Sequence, residues 1–147
     1  MPATLLHSPA HIVQRLIVSL GLGTLPSAAG SWPVYATAEP QDPDNVITVY
    51  DTAGQSDGRS MIDGELFEHN GIQVRVRATT HEVGWPKADA IQTGLALSVY
   101  DETVTIDGTA YLIHSINRIG QVIPIGKETP LSKRSVFTIN ALALIRP

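Results

Sequence analysis

The side chains that could perform chemistry in this sequence are few and scattered. The chain has no cysteine, so neither disulfides nor thiolate metal sites can form. His7 and His11 have the i, i+4 spacing of a helical metal-binding pair, but His7 precedes the predicted start of the helix and no carboxylate lies nearby. We therefore predict no metal site and no cofactor. The histidines are His7, His11, His69, His81 and His114.

Nucleophilic catalysis has no better support. Serines and histidines occur, but none sits in a nucleophile elbow or a similar motif. The string Asp51-Thr52-Ala53-Gly54 is similar to the Asp-Thr-Gly of aspartic proteases, yet Ala53 stands where glycine is needed. A small-GTPase assignment would need an upstream Walker glycine loop, which the sequence lacks. We predict a protein that is not an enzyme, with Asp51 and Thr52 in an Asx-type turn.

The most regular pattern is the strict alternation of residues 71–78. Ile72, Val74, Val76 and Ala78 fall on one face, and Gln73, Arg75 and Arg77 fall on the other. A period of two predicts a strand with one buried and one solvent-facing side. On this interpretation, Arg75→Glu combined with Arg77→Glu should impair assembly and leave the isolated fold largely intact.

Two local basic groups have three open interpretations. Arg75 and Arg77 are the first group, and Lys127, Lys133 and Arg134 form the second. Each could be solvated, could pair with acidic residues of a neighbouring subunit, or could contact phosphate. A net charge of −4 disfavours phosphate contact.

Composition indicates an ordinary globular chain. With 147 residues, of which 43% are hydrophobic and 16% charged, we predict one domain over residues 1–147. No apolar run reaches the roughly 20 residues of a membrane span. Residues 16–29 are similar to a signal peptide, but Arg15 is the only basic side chain before them, and we expect no secretion.

The periodicities predict an α+β fold. We expect a mainly antiparallel, mixed sheet of about six strands with two helices packed on one face, in the order α-β-β-β-α-β-β-β. Ser8-Pro9 should start the first helix and Gly21 should end it, and Pro86 should open the second helix. Asp107-Gly108 should turn a hairpin. The last strand should run from about residue 134 to 145, with its far end covered on both faces.

Two segments rich in glycine and proline are predicted to be long loops. They cover residues 55–70, with a small hairpin near Asp63-Gly64, and residues 120–130. Long loops in compact domains are usually functional. We interpret them as contacts with neighbouring subunits.

Taken together and in order, several segments resemble a known family. They are the first helix, the strand 46–54, Asp63-Gly64-Glu65, the strand 71–77, and a helix containing Ala88, Ala90, Ile91 and Leu95. This order is similar to that of the tail terminator (tail completion) or minor capsid proteins of long-tailed bacteriophages. The resemblance covers about residues 8–99, and Asp51-Thr52-Ala53-Gly54 departs from the family's Asp-Thr-Gly-Gly.

The resemblance implies a structural virion protein that is assembled in the host cytoplasm and located in the tail or neck. Such proteins form a hexameric ring that ends tail-tube polymerisation and joins the tail to the head connector or stopper, while DNA passes through the lumen without specific binding. The implied partners are thus other copies of the chain, the tail tube protein and the connector, with no membrane. The candidate interface residues are Tyr50, Asp51, Arg59, Arg75, Arg77, Lys127, Lys133 and Arg134.

Three alternatives stay open. A head-side connector, stopper or minor capsid protein of the neck would have the same broad character. A small hydrolase or a ligand-binding module would instead require a deep pocket with converging polar groups.

Overall fold

Two helices and a seven-stranded sheet make up the computed structural model, which describes residues 5–27, 30–59, 66–129 and 133–146. For residues 55–59 and 66–68 it describes the backbone. The elements are α1 (Pro9–Ser19), β1 (Val34–Ala36), β2 (Val46–Arg59), β3 (Leu66–Ala78), α2 (His81–Leu97), β4 (Glu102–Ile106), β5 (Thr109–Arg118), β6 (Ile123–Lys127) and β7 (Ser135–Arg146).

The sheet is mixed, with the strand order β1-β2-β3-β7-β5-β4. Among the seven strands of the described residues, β1 and β2 pair in parallel and the other strand pairings are antiparallel. An isolated parallel bridge joins Thr24 and Pro33 ahead of β1. Strand β6 shares one edge of β7 with β5: it pairs with the start of β7, and β5 pairs with its end. The predicted α+β class and element order are confirmed, with β6 as an additional short strand.

The core lies between the two helices and one face of the sheet. Ile72, Val74 and Val76 are fully buried on this face of β3. They join one hydrophobic cluster with the apolar side of α1 and with Ala88 and Ile91 of α2. Both helices therefore cover the same face, and the opposite face of the sheet, the outer face, carries Gln73, Arg75 and Arg77.

Local signals at the ends of elements are confirmed in two places. The Ser8 hydroxyl accepts a hydrogen bond from the His11 amide at 3.4 Å, with Pro9 as the first residue of α1, and Gly21 has a φ of +76° just past the helix end. In the β4–β5 turn, Asp107 and Gly108 have φ values of +49° and +83°. Two successive positive φ angles are what a two-residue hairpin turn of type I′ requires.

Both predicted long loops are largely strands instead. β2 continues to Arg59 and β3 starts at Leu66, so residues 55–59 and 66–70 form a hairpin in place of a loop, while Asp63-Gly64 lies outside the described residues. The register shifts between Thr52 and Gln55 and again between Ser56 and Gly58, which hides the alternation expected of a strand. In the segment 120–130, residues 123–127 form β6.

The second helix and the last strand also differ from prediction. Helix α2 begins at His81 and contains Pro86 in its interior, because the hydroxyl of Thr80 caps the amide of Val83 and starts the helix earlier. On the outer face of β7, Val136 and Thr138 at the near end are buried, whereas Leu142 and Leu144 at the far end are half-buried. The cover is therefore at the opposite end from the one predicted.

In the described part of the chain, no helix is long and apolar enough to cross a membrane.

Candidate functional site

Arg77 does not face solvent. Its side chain is 2% exposed, although the alternation of β3 predicted a wet face. The guanidinium donates hydrogen bonds to three backbone carbonyls of the segment 39–45: Nη2 to Gln41 at 3.1 Å and to Pro43 at 2.6 Å, and Nε to Asp44 at 3.3 Å. This segment contains two prolines and lies outside the sheet, so its carbonyls have no hydrogen-bond donors from a neighbouring strand. The guanidinium of Arg77 supplies the missing donors.

Two carboxylates complete the surroundings of Arg77. Glu39 lies 3.8 Å from Arg77 and 3.3 Å from Arg75, and Glu128 lies 4.0 Å from Arg77 and 3.1 Å from Arg134. We call Glu39, Arg75, Arg77, Glu128 and Arg134 the Arg77 network. Its ion pairs lie within one chain, so the interpretation of Arg77 as a solvated or freely protruding cation is wrong.

The Arg77 network fastens the segment 39–45 over the outer face of the sheet. Arg134 Nη1 donates to the Gln41 carbonyl at 2.6 Å, and Asn45 Oδ1 accepts from the Thr79 amide at 3.0 Å. This cover explains why Val136, which pairs with Arg77, is buried on the outer face. The premise that both arginines face solvent is wrong for Arg77, so we now expect Arg75→Glu with Arg77→Glu to destabilise the fold, because it would place further negative charge beside Glu39 and Glu128.

Tyr50 and Asp51 also have contacts within the chain. Asp51 continues β2 and forms no Asx turn; its Oδ1 accepts a hydrogen bond from the Ala10 amide at 2.9 Å in the first turn of α1. An acceptor there satisfies one of the unpaired amides of a helix start. Tyr50 lies on the outer face opposite Gln73, and burial followed by the charge of Glu39 raises the pKa of its hydroxyl.

Arg59 ends the longest hairpin of the sheet. β3 pairs with β7 from Asn70 onward, so the strand residues 66–69 have described pairings with β2 and none with β7, although β7 continues to Arg146. The side chain of Arg59 lies outside the described residues. Its predicted role at an interface, like that of the other candidates, stays a prediction.

The second basic group lines an open cavity of about 580 Å³ at the start of α2. We call this cavity the α2 pocket. Lys127 at the end of β6 and Lys133 before β7 are exposed at the pocket, and Arg134 connects it to the Arg77 network. The pocket is lined by Asp44, Thr79, Thr80, His81, Lys127, Lys133, Arg134 and Ser135.

The lining of the α2 pocket is suited to binding an anion. The first amides of α2 and the two lysines all provide positive electrostatic potential. His81 contacts the rings of Trp85 and Phe137, with centroids 6.3 and 5.3 Å away, and makes no described hydrogen bond to Ser135.

Apolar side chains are exposed beside these polar features. Strand β6 is exposed along its whole length, including Ile123 and Ile125 at 50% and 60%. Leu97 and Tyr100, which follow one another closely at the end of α2, are 79% and 81% exposed. Large apolar side chains left in water at neighbouring positions are typical of surfaces that bind another protein.

In the part of the chain that the structure describes, histidines and carboxylates do not gather into a metal site. Within the described ranges, no three histidine, aspartate or glutamate side chains are placed to hold an ion. His7 Nδ1 is 2.6 Å from the Tyr111 hydroxyl, and His114 Nδ1 is 2.7 Å from Asp101, so two of the five histidines have partners that are not metals.

Sequence reasoning missed the acidic half of the Arg77 network. Glu39 lies in the two-proline segment 39–45 and Glu128 in a segment predicted to be a loop, and in neither does a periodicity indicate the direction of a side chain. A usable signal existed for the start of α2, since Thr80 precedes an acidic first turn at Glu82. That signal would have placed the start of α2, and with it the α2 pocket, directly after β3.

Two comparisons with known proteins bear on the family of this chain. A comparison with curated protein sequences gave no match. Residues 16–121 match the family model described as "Bacteriophage tail terminator protein", which spans well over half of the chain, from inside α1 to just before β6. The chain therefore belongs to the bacteriophage tail terminator family, a family of structural proteins.

Proposed function

We propose that this protein forms a ring at the head-proximal end of the phage tail, where it ends polymerisation of the tail tube and joins the tail to the head connector. The family match carries the proposal. The ring, the tube contact and the connector contact are the parts that we infer beyond family membership.

The distribution of exposed apolar surface supports a role in assembly. Four large apolar side chains are each at least half exposed: Ile123 and Ile125 on β6, Leu97 at the end of α2 and Tyr100 just after it. A protein that acts alone in water gains nothing from these exposed side chains, whereas subunit contacts would bury them. Strand β6 also has a free edge, since its only described pairing is with β7.

Charge favours a channel that does not retain DNA. The chain has a net charge of −4, so copies arranged around a lumen would repel phosphate as a whole. The basic side chains of the two groups are confined to local clusters. Three of them, Arg75, Arg77 and Arg134, form ion pairs within the Arg77 network. DNA can therefore pass through the ring without specific binding.

The test is the oligomeric state of the purified protein together with its position in the virion. Mass photometry and electron microscopy should show rings of six copies, and labelling should place the protein in the neck. Particles made without it should carry tails of uncontrolled length. A protein that is a monomer in every condition and absent from the neck would refute the proposal. A position on the head side of the neck would instead identify it as a connector or stopper.

A further inference from the structure

The α2 pocket contains positive charge that the chain itself does not neutralise. Lys127 and Lys133 are exposed and make no ion pair with any other described residue. The third cation, Arg134, is already shared by Glu128 at 3.1 Å and Asp44 at 3.6 Å. The pocket adds the first amides of the 17-residue helix α2 to these lysines. Its 580 Å³ is room for several side chains rather than a single small ion.

Matching negative charge lies along β4, which is one of the two edge strands of the sheet. Three exposed carboxylates lie at the two ends of this strand: Asp101 and Glu102 at its start and Asp107 just after its end. The side chain of Asp101 is 50% exposed and that of Asp107 is 86% exposed. β4 is the last strand of the sheet order, so its outer edge has no described pairing. We call these three residues the β4 acidic edge. His114 and His7 contact Asp101 and Asp107, whereas Glu102 makes no described ion pair.

The strand register separates the two surfaces. The α2 pocket borders Ser135 at the start of β7. Glu102 pairs with Ile113, which pairs with Ile145 near the end of β7, and Asp107 lies further along the same direction. Ser135 and Ile145 are ten residues apart along β7, which corresponds to about 30 Å. The β4 acidic edge of a chain therefore cannot enter the α2 pocket of the same chain.

We propose that the α2 pocket of one copy binds the β4 acidic edge of the next copy. The contact joins two different surfaces, which lie at opposite ends of the sheet along the strand direction, and is therefore heterologous. Repetition of a heterologous contact closes a ring when the rotation per subunit permits. This inference rests on the proposed ring and names the surfaces that form it. Carboxylates are favoured over phosphates as the occupant because the chain is acidic overall and supplies the complementary residues itself.

The absence of cysteine allows a direct test by crosslinking. The full-length variant Lys127→Cys, Glu102→Cys is treated with a short bismaleimide. Because the two positions lie about 30 Å apart within a chain, a short crosslink between them must join two copies. We expect a ladder of products that extends well past the dimer on a denaturing gel. Either single-cysteine variant can yield a dimer at most. The matched control is Asp89→Cys, Glu102→Cys, with an exposed α2 position outside the pocket.

Charge reversal provides the second arm. Lys127→Glu with Lys133→Glu should raise the concentration at which half of the protein is assembled by about tenfold or more, and Glu102→Lys in the same chain should reverse part of that shift. Arg118→Glu, exposed on β5 outside both surfaces, is the control for a change of net charge. Thermal unfolding should show that all these variants remain folded.

The outcomes separate this inference from the proposed function. Rings that form normally in the lysine variant, with no ladder from the cysteine pair, would overturn the contact and leave the ring proposal standing. A wild-type protein that never assembles would overturn both. If the lysine variant assembles normally but loses binding to a duplex DNA oligonucleotide, the pocket binds phosphate and the proposed contact is wrong.

Discussion

The Arg77 network and the α2 pocket both contain basic side chains and share Arg134, yet they differ in what surrounds those side chains. In the network, Glu39, Glu128 and three carbonyls of the segment 39–45 enclose the guanidinium of Arg77. In the pocket, Lys127 and Lys133 project into solvent. The comparison shows that a basic patch in a sequence has no fixed meaning: the enclosed cations hold the fold together, and the exposed ones are available to a partner.

The largest expected effect is on the network. Arg77→Met keeps much of the side-chain volume but removes the hydrogen-bond donor of the Pro43 and Asp44 carbonyls and the enclosed positive charge beside Glu39 and Glu128. Removal of one partner from a buried ion pair costs about 3–5 kcal/mol of unfolding free energy. Urea unfolding followed by circular dichroism measures this loss. Arg75→Met is the matched control, since Arg75 is one-third exposed and makes fewer contacts; equal losses in the two variants would contradict the role assigned to Arg77.

The next effect concerns Arg134, where the two regions meet. Arg134→Met removes its contacts with Glu128 and Asp44 and its hydrogen bond to the Gln41 carbonyl. Because Glu128 keeps Arg77 nearby, we expect a loss of about 1–2 kcal/mol in unfolding free energy. The same variant should weaken assembly, measured by sedimentation velocity. An effect on stability alone would show that Arg134 belongs only to the network.

A smaller effect on stability is expected from the pocket lysines. Lys127→Ala and Lys133→Ala remove exposed side chains without described ion pairs, so the unfolding free energy should change by no more than about 0.5 kcal/mol. Assembly should nevertheless weaken and lose part of its dependence on salt. A loss of stability as large as that of Arg77→Met would erase the distinction between the two regions.

The smallest effect is a dependence on alkaline pH at the border of the network. Burial and then Glu39 raise the pKa of Tyr50 above its ordinary value of 10.0. The unfolded chain would lose this proton first as pH rises, so the stabilisation is complete below pH 10 and is lost as pH passes through the higher folded-state pKa. Tyr50→Phe should remove that slope of stability between the two pKa values, as thermal unfolding at several alkaline pH values would show. If the slope is unchanged in Tyr50→Phe, the loss of stability at alkaline pH arises from another titrating group.

Much of the fold could be predicted because it depends on local patterns. The alternation of residues 71–78, the cap at Ser8-Pro9 and the Asp107-Gly108 turn each act over a few residues and appear where expected. The predictions failed where bulges interrupt the alternation of β2, and where Thr80 starts a helix ahead of Pro86. In β2, pairing with β3 decides the register, whereas at α2 the local cap of Thr80 on Val83 outweighs the preference of Pro86 for a helix start.

The sequence by itself determined that the outer face of β3 carries arginines at alternate positions, because side chains in a strand point to opposite faces with a period of two. It also determined the absence of cysteine chemistry and the order of the elements. Only the tertiary structure decided which cations are enclosed. Glu39 is 38 residues before Arg77, and Glu128 is 51 residues after it. Long-range folding brings these carboxylates to Arg77 and leaves Lys127 and Lys133 in solvent, and no local pattern encodes that difference.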